Sequence, residues 1–183
     1  MTAGIIGYGA IGSYLAPILE AIGMSVLVHD PVVTVAAERF EQVGLDELLE
    51  CSDVVLPLAP AVDETEDLVD AGALATMKAG AFLVNVSRGQ LVDETAVADA
   101  LDSGRLGGVG MDVGRAPDQR PQPELAGRPG VVATPHLGGL TPENADAQAR
   151  SRGEQVRASL DHEVPPRSVN PEHATRLRAY WAR

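Results

Sequence analysis

The sequence is short of the residues that several functions need. One cysteine in 183 residues rules out an internal disulfide framework and suits a reducing compartment. Aromatic residues make up 3%, too few for platforms on which nucleic-acid bases stack. Lys and Arg number 14 against 26 Asp and Glu, a formal net charge of −12, whereas nucleic acid and anionic membrane both call for clustered positive charge. No apolar run approaches the ~18–20 residues of a membrane span, and the N-terminus lacks the basic start of a signal peptide. His29, His162 and His173 have no ligand spacing with other residues, so no metal site is expected. No Gly-x-Ser-x-Gly nucleophile motif occurs. What remains is an acidic, cytoplasmic α/β protein acting on small molecules.

Short apolar runs alternate with helical periods. Strands are expected at 3–7, 25–29, 54–58, 81–85, 106–112 and 131–133. A helix is expected over 11–22, with Ile11, Leu15, Ile18, Leu19 and Ile22 on its buried face and Gly23 as its stop. Shorter helices fit 45–50 and 71–77, and Asp93 caps another that runs to Ser103. Residues 32–44 stay open between a poor helix and a short edge strand. Thr141 and Pro142 open a long helix to about His162. The tail 163–183 has no assignment. Alternation of this kind implies crossover units and a doubly wound, mostly parallel sheet. Cys51, before an apolar strand, reads as buried and inert. The acidic run Asp63–Asp70 reads as a solvated face.

One turn carries chemistry. Gly7-Tyr8-Gly9-Ala10-Ile11-Gly12 follows a strand and opens a helix. Gly7 permits the tight turn, Gly9 lets backbone approach a pyrophosphate, and Gly12 lets helix and strand pack closely. The first helical amides, those of Ala10 and Ile11 among them, face the phosphates with the positive end of the helix dipole. Asp30 ends the second strand, 18 positions after Gly12, where a carboxylate accepts ribose hydroxyls and repels a 2′-phosphate. NAD is therefore the expected cofactor. The alternative is that the glycines serve packing alone.

Further on, "LVNVSRGQLVDETAVADAL" (83–101), "GVGMDV" (108–113) and "VVATPHLGGLTPE" (131–143) resemble the nucleotide-binding domain of D-isomer-specific 2-hydroxyacid dehydrogenases. The resemblance spans nearly the whole chain. It implies a Rossmann-type domain over 1–150, with 151–183 as the end of a helix and a tail. It also implies hydride transfer between NAD(H) and a 2-hydroxy or 2-oxo acid. Arg88 would hold the substrate carboxylate and polarise its carbonyl, His136 would be the general acid–base, Asp112 would reach the nicotinamide carboxamide, and Pro60 would line the adenosine side. The plain alternatives are a surface ion pair for Arg88, a hydrogen-bonded structural histidine, a strand-end turn residue for Asp112 and loop chemistry for Pro60.

Two departures stand out. The family's carboxylate partner for its histidine falls here on Pro117; Asp118 could serve with a one-residue shift, or be a solvated loop aspartate. Arg115 has no counterpart and reads as an anion binder or a loop solvator. The family also places a substrate domain before the strand that begins here at residue 3, so the resemblance implies a chain reduced to its cofactor half. "VPPRSVN" (164–170) resembles the family's return path towards that domain. Three readings follow: an NAD-dependent dehydrogenase, a non-catalytic NAD-binding or regulatory module, and a repurposed enzyme completed by a partner chain. Family members usually pair through this domain, so a homodimer or hetero-complex is expected.

Overall fold

A computed structural model describes residues 1–35, 40–168 and 171–182. The chain runs β1 (Thr2–Ile6), α1 (Ala10–Ala21), β2 (Ser25–His29), β3 (Glu41–Gln42), α2 (Leu45–Cys51), β4 (Val54–Pro57), α3 (Ala71–Thr76), β5 (Ala81–Asn85), α4 (Glu94–Asp102), β6 (Leu106–Met111), α5 (Pro123–Ala126), β7 (Val131–Ala133), α6 (Pro142–Leu160) and α7 (Thr175–Trp181). The strands form one sheet in the order β3-β2-β1-β4-β5-β6-β7, and every neighbouring pair is parallel. The chain winds outward one way from β1 and the other way from β4. All C-terminal strand ends therefore lie along one edge, and the order reverses between β1 and β4, where ligands bind in such sheets. The sheet is the expected doubly wound one, and it is parallel throughout. Of the open stretch 32–44, the described part contains only the two-residue edge strand β3; residues 36–39, and residues 169–170 of "VPPRSVN", lie outside the described residues.

Two apolar layers sandwich the sheet, because alternate strand residues point to opposite faces. On one side Leu48 and Leu49 of α2, Leu74 of α3, Val97 of α4 and Leu125 of α5 pack on Val55, Leu83, Val109 and Met111. On the other, α1 packs on Ala3, Ile5, Val26 and Val28. Here the expected helix face is corrected. α1 turns Gly12 and Ala16 to the sheet, with Leu15 and Leu19 half-buried, while Ile11, Ile18 and Ile22 are exposed. Small residues at 12 and 16 let the helix axis approach the strands, and larger ones there would hold it off. Gly23 ends the helix as expected, at φ 89° with its amide donating to Glu20 O.

Local capping explains two of the helices. Asp93 Oδ1 accepts from Thr95 N (2.9 Å) and Ala96 N (3.2 Å) at α4, and Thr141 Oγ1 accepts from Asn144 N at α6. Cys51 is exposed, contrary to expectation. Its neighbour Ser52 takes the buried place at the end of α2, donating to Leu48 O at 2.6 Å.

The chain separates into two compact units, Met1–His136 and Leu137–Arg183. A boundary at 150 would fall inside α6. The second unit comprises α6 and α7, with the rings of His162 and Trp181 stacked at 5.8 Å. No helix among the described residues is long and apolar enough to cross a membrane.

Candidate functional site

The glycine turn leaves β1 at the reversal of strand order. Gly7 has φ 102°, and a Cβ there would lie 2.7 Å from Ala59 N. A Cβ on Gly12 would lie 2.2 Å from Gly7 O, so only glycine lets helix and turn meet. Gly9 is different: a Cβ there would meet nothing within 4 Å. Gly9 caps α1 and offers no side chain to its first amides. Those of Ala10, Ile11 and Gly12 have no partner within the helix and lie at the positive end of its dipole. Open space before an uncapped helix start suits a pyrophosphate.

Asp30 follows β2 and binds three backbone amides: Oδ2 accepts from Tyr8 N at 2.7 Å, and Oδ1 from Val32 N and Val33 N at 2.8 Å each. Burial alone would raise its pKa; the amides of Val33, Tyr8 and Val32, with His29 nearby, outweigh that and hold the carboxyl below its ordinary value. A carboxylate has about four acceptor sites, so capacity remains for a ribose hydroxyl. A cavity of about 520 Å³ opens beside it, walled by Pro31, Val32, Val33, Pro60, Val62 and Leu68. Its mostly apolar walls, with the carboxylates of Asp30 and Glu64 in the lining, suit an adenosine. Glycine cradle, open helix start, carboxylate and cavity together fit a dinucleotide.

A second cavity, of about 500 Å³, shares Gly9 and Pro60 with the first and is also lined by Ala10, Ile11, Ser87 and Arg88. The fold thus brings Arg88, from the end of β5, to the phosphate turn. Arg88 is exposed, and its Nη1 donates to Ser87 O at 2.7 Å. Asn85, fully buried, fixes this corner: Oδ1 accepts from Ser87 N (3.1 Å) and Nδ2 donates to Arg88 O (2.9 Å). Sequence reasoning passed over Asn85. Its signal was an Asn at a strand end two residues before a Ser-Arg-Gly turn.

Asp112 and His136 follow β6 and β7 on the same sheet edge. Asp112 is buried, Thr134 donates a hydrogen bond from Oγ1 to its Oδ1, and its own amide donates to Asn85 O at 3.1 Å. Asn85, Asp112 and Thr134 therefore tie three strand ends together. His136 sits at φ 58°, an uncommon region for a residue with a Cβ, and its amide donates to Thr134 O. Its half-buried ring has no hydrogen-bond partner among the described residues, and neither His136 nor Asp112 lines either cavity.

Asp118 is not brought to His136; it is exposed and holds Arg120, through that residue's amide and, at 3.2 Å, its Nε. Arg115 is spent on structure. Its Nη1 binds Glu66 at 2.7 Å, its Nη2 binds Asp67 and Gln90 O, and its Nε donates to Val92 O. The acidic run is therefore only partly solvated: Glu66 and Asp67 hold Arg115, and Asp70 caps α3. Glu94, also passed over, is buried with Oε1 on Arg115 N (2.7 Å) and Oε2 on Gln122 N (3.1 Å). No group of three metal-ligating side chains occurs among the described residues.

The family model for the D-isomer specific 2-hydroxyacid dehydrogenase, NAD binding domain, matches residues 1–138. D-3-phosphoglycerate dehydrogenase of Mycobacterium bovis is 39% identical over 174 residues, 92% of this chain and 32% of that protein. (S)-sulfolactate dehydrogenase of Chromohalobacter salexigens is 38% identical over 165 residues, 87% of this chain and 53% of that protein. Among solved structures, apo D-lactate dehydrogenase from Escherichia coli superposes with TM-score 0.79 at 34% identity, covering 90% of this chain and 52% of that one. D-lactate dehydrogenase from Aquifex aeolicus, complexed with NAD and lactic acid, gives 0.77 at 30% identity, covering 88% and 54%. The chain thus spans a third to a half of the length of these relatives. With a seven-stranded parallel sheet, a glycine cradle at its switch point and this match, the chain belongs to the D-isomer-specific 2-hydroxyacid dehydrogenase family, as its NAD-binding domain.

Proposed function

We propose that this domain serves NAD-dependent interconversion of a 2-hydroxy and a 2-oxo acid, with Arg88 holding the substrate carboxylate and His136 the proton. One observation carries this reading: Arg88 and the phosphate turn line a single cavity. The nicotinamide supplies the hydride when the cofactor is bound. The Arg88 guanidinium pairs with a carboxylate and draws charge from the neighbouring carbonyl. A ring nitrogen of His136 gives the proton to the oxygen. Asp112, at the neighbouring strand end, is assigned to the carboxamide, and Pro60 to the adenosine wall. Asp118 would orient His136 only by releasing Arg120. The proposal includes a cytoplasmic location and a partner: a second polypeptide surface that closes over the exposed Arg88, because a guanidinium in water holds a carboxylate weakly. A second reading, an NAD-binding module without catalysis, is favoured by the ring of His136, which no carboxylate orients among the described residues.

The test is steady-state NADH oxidation by the 183-residue chain with pyruvate, glyoxylate, hydroxypyruvate and phenylpyruvate. Turnover below about 1 s⁻¹, the low end for ordinary enzymes, is expected, falling further in Arg88→Ala and His136→Ala. Oriented closure is worth on the order of 7–11 kcal/mol in good cases, and an open site forgoes much of it. Turnover unchanged by both replacements would refute the catalytic assignment, and NAD binding with no oxidation of any substrate would select the second reading.

A further inference from the structure

We infer that Arg115 is a positioning residue for NAD: it lines neither cavity, and through Glu66 and Asp67 it sets the wall against which the adenosine lies. This role rests on NAD binding by the domain and is independent of the proposed chemistry. Val62, Glu64, Thr65 and Leu68 form one wall of the cavity beside Asp30, and all lie in the connection between β4 and α3. Near its start Thr65 closes this connection on itself: Oγ1 donates to Pro60 O at 2.6 Å and accepts from Val62 N at 3.0 Å. Its far end is laid along another segment. Asp67 N donates to Gln90 O and Val69 N to Leu91 O, each at 2.9 Å, and Val69 pairs in parallel with Val92. Between these anchors Asp67 turns at φ 52°, a conformation that Asp tolerates but that persists only where its surroundings fix it.

Arg115 closes that corner. Its Nη1 meets Glu66 at 2.7 Å, its Nη2 meets Asp67 and, at 2.9 Å, Gln90 O, and its Nε donates to Val92 O at 3.0 Å. One planar fork thus holds residues 66–67 against residues 90–92. The arm from which it reaches is itself fixed. Arg115 N donates to buried Glu94 at 2.7 Å, and the preceding backbone runs so close to Gly89 that a Cβ there would lie 2.2 Å from Gly114 O. Such a clamp does little for stability. Its ion pairs are partly open to water, with Arg115 28% exposed and the carboxylates 45–46%, and pairs of that kind contribute weakly. Its effect is geometric. The directions of the fork fix where 66–67 sit, and so how their neighbours Glu64, Thr65 and Leu68 face the cavity. A wall held in place before the ligand arrives spares the ordering that binding would otherwise require.

Calorimetric titration of the full chain with NAD, paired with thermal melts, tests this on Arg115→Ala, on the double variant Glu66→Gln/Asp67→Asn, and on all three changes together. Arg115→Ala is expected to weaken NAD about tenfold, as the ordering of one or two loop side chains would. The double variant should weaken it by a similar factor, and the triple variant no further, because each removes the same clamp. The sign makes the double variant decisive. Taking two negative charges from beside an anionic ligand strengthens binding by electrostatics alone, so a loss of affinity there comes from position. Asn adopts the same positive φ as Asp, so the turn itself is kept. Leu106→Ala is the control for stability. Leu106 is 3% exposed, at the start of β6 on the sheet edge opposite the cavities. Its truncation should lower Tm more than Arg115→Ala does, yet leave NAD affinity within about twofold, as expected of a distant, independent site. A double variant that binds NAD as tightly as the wild type, or more tightly, would overturn the role. So would an Arg115→Ala affinity loss no larger than that of Leu106→Ala. A wild type that fails to bind NAD would overturn the cofactor assignment itself, and this role with it.

Discussion

At the scale of single residues, Gly12 and Gly9 separate packing from recognition. A Cβ on Gly12 collides with Gly7 O at 2.2 Å, and backbone has to move. Gly12→Ala is expected to cost about 1–3 kcal/mol, as overpacking does, and to lower Tm by several degrees. A Cβ on Gly9 meets nothing, so Gly9→Ala should keep its Tm yet lose about tenfold or more in NAD affinity, about 1.4 kcal/mol. Thermal melts paired with titrations read both; a Gly9→Ala protein with unchanged affinity would remove the pyrophosphate from this turn. Asp30 makes a pH prediction. Its folded-state pKa is depressed, so its stabilisation is complete above the unfolded value of about 3.9 and is lost as pH falls through the folded one. The Tm gap between wild type and Asp30→Asn should therefore narrow from about pH 6 to pH 3. Asp53, held low by Lys78, is common to both proteins and cancels. A gap constant with pH would mean that the bonds of Asp30 to Tyr8, Val32 and Val33 contribute nothing. These residues were legible in the sequence because each acts within a few positions of a strand end. Asp118 and Arg115 were less so, since the partners of Arg115 lie 21–49 residues away in the chain.

At the scale of elements, strands and caps followed from local pattern, while the orientation of α1 did not. Its sequence is apolar nearly all round, so periodicity offered two faces, and the sheet selected the one bearing Gly12 and Ala16 because small side chains allow the closer contact. Cys51 failed for a related reason: the helix end buries one of two adjacent small polar residues, and the Ser52 hydroxyl can satisfy Leu48 O. Glu94 shows what pattern reading misses altogether. Its two oxygens fasten α4 to the loop between β6 and α5 through the amides of Arg115 and Gln122. Glu94→Gln keeps one acceptor and sets an N–H group against one of those amide donors. A loss of about 1–3 kcal/mol is expected, the cost of a buried unsatisfied group, and chemical denaturation would measure it. A change within about 0.5 kcal/mol, as at an ordinary surface site, would show that the loop is held by Arg115 alone.

At the scale of the whole molecule, the sheet gathers the C-terminal ends of β1, β2, β4 and β5 around two cavities that share Gly9 and Pro60. That layout is a grip for an extended cofactor with Asp30 at one end and Arg88 at the other. The proposed substrate chemistry would rest on Arg88 and His136, but the cofactor grip itself lies within the first unit. Asp30 should set its preference. One hydrogen bond from a ribose hydroxyl to a carboxylate contributes roughly 1.5–3 kcal/mol, and a 2′-phosphate in the same place meets like charge. Calorimetric titration of the chain and of Asp30→Ala with NAD and with NADP measures this directly. NAD should bind the wild type at least about tenfold more tightly than NADP, and Asp30→Ala should weaken NAD and erase most of the difference. Equal or tighter binding of NADP by the wild type, or unaltered NAD affinity in Asp30→Ala, would contradict the account.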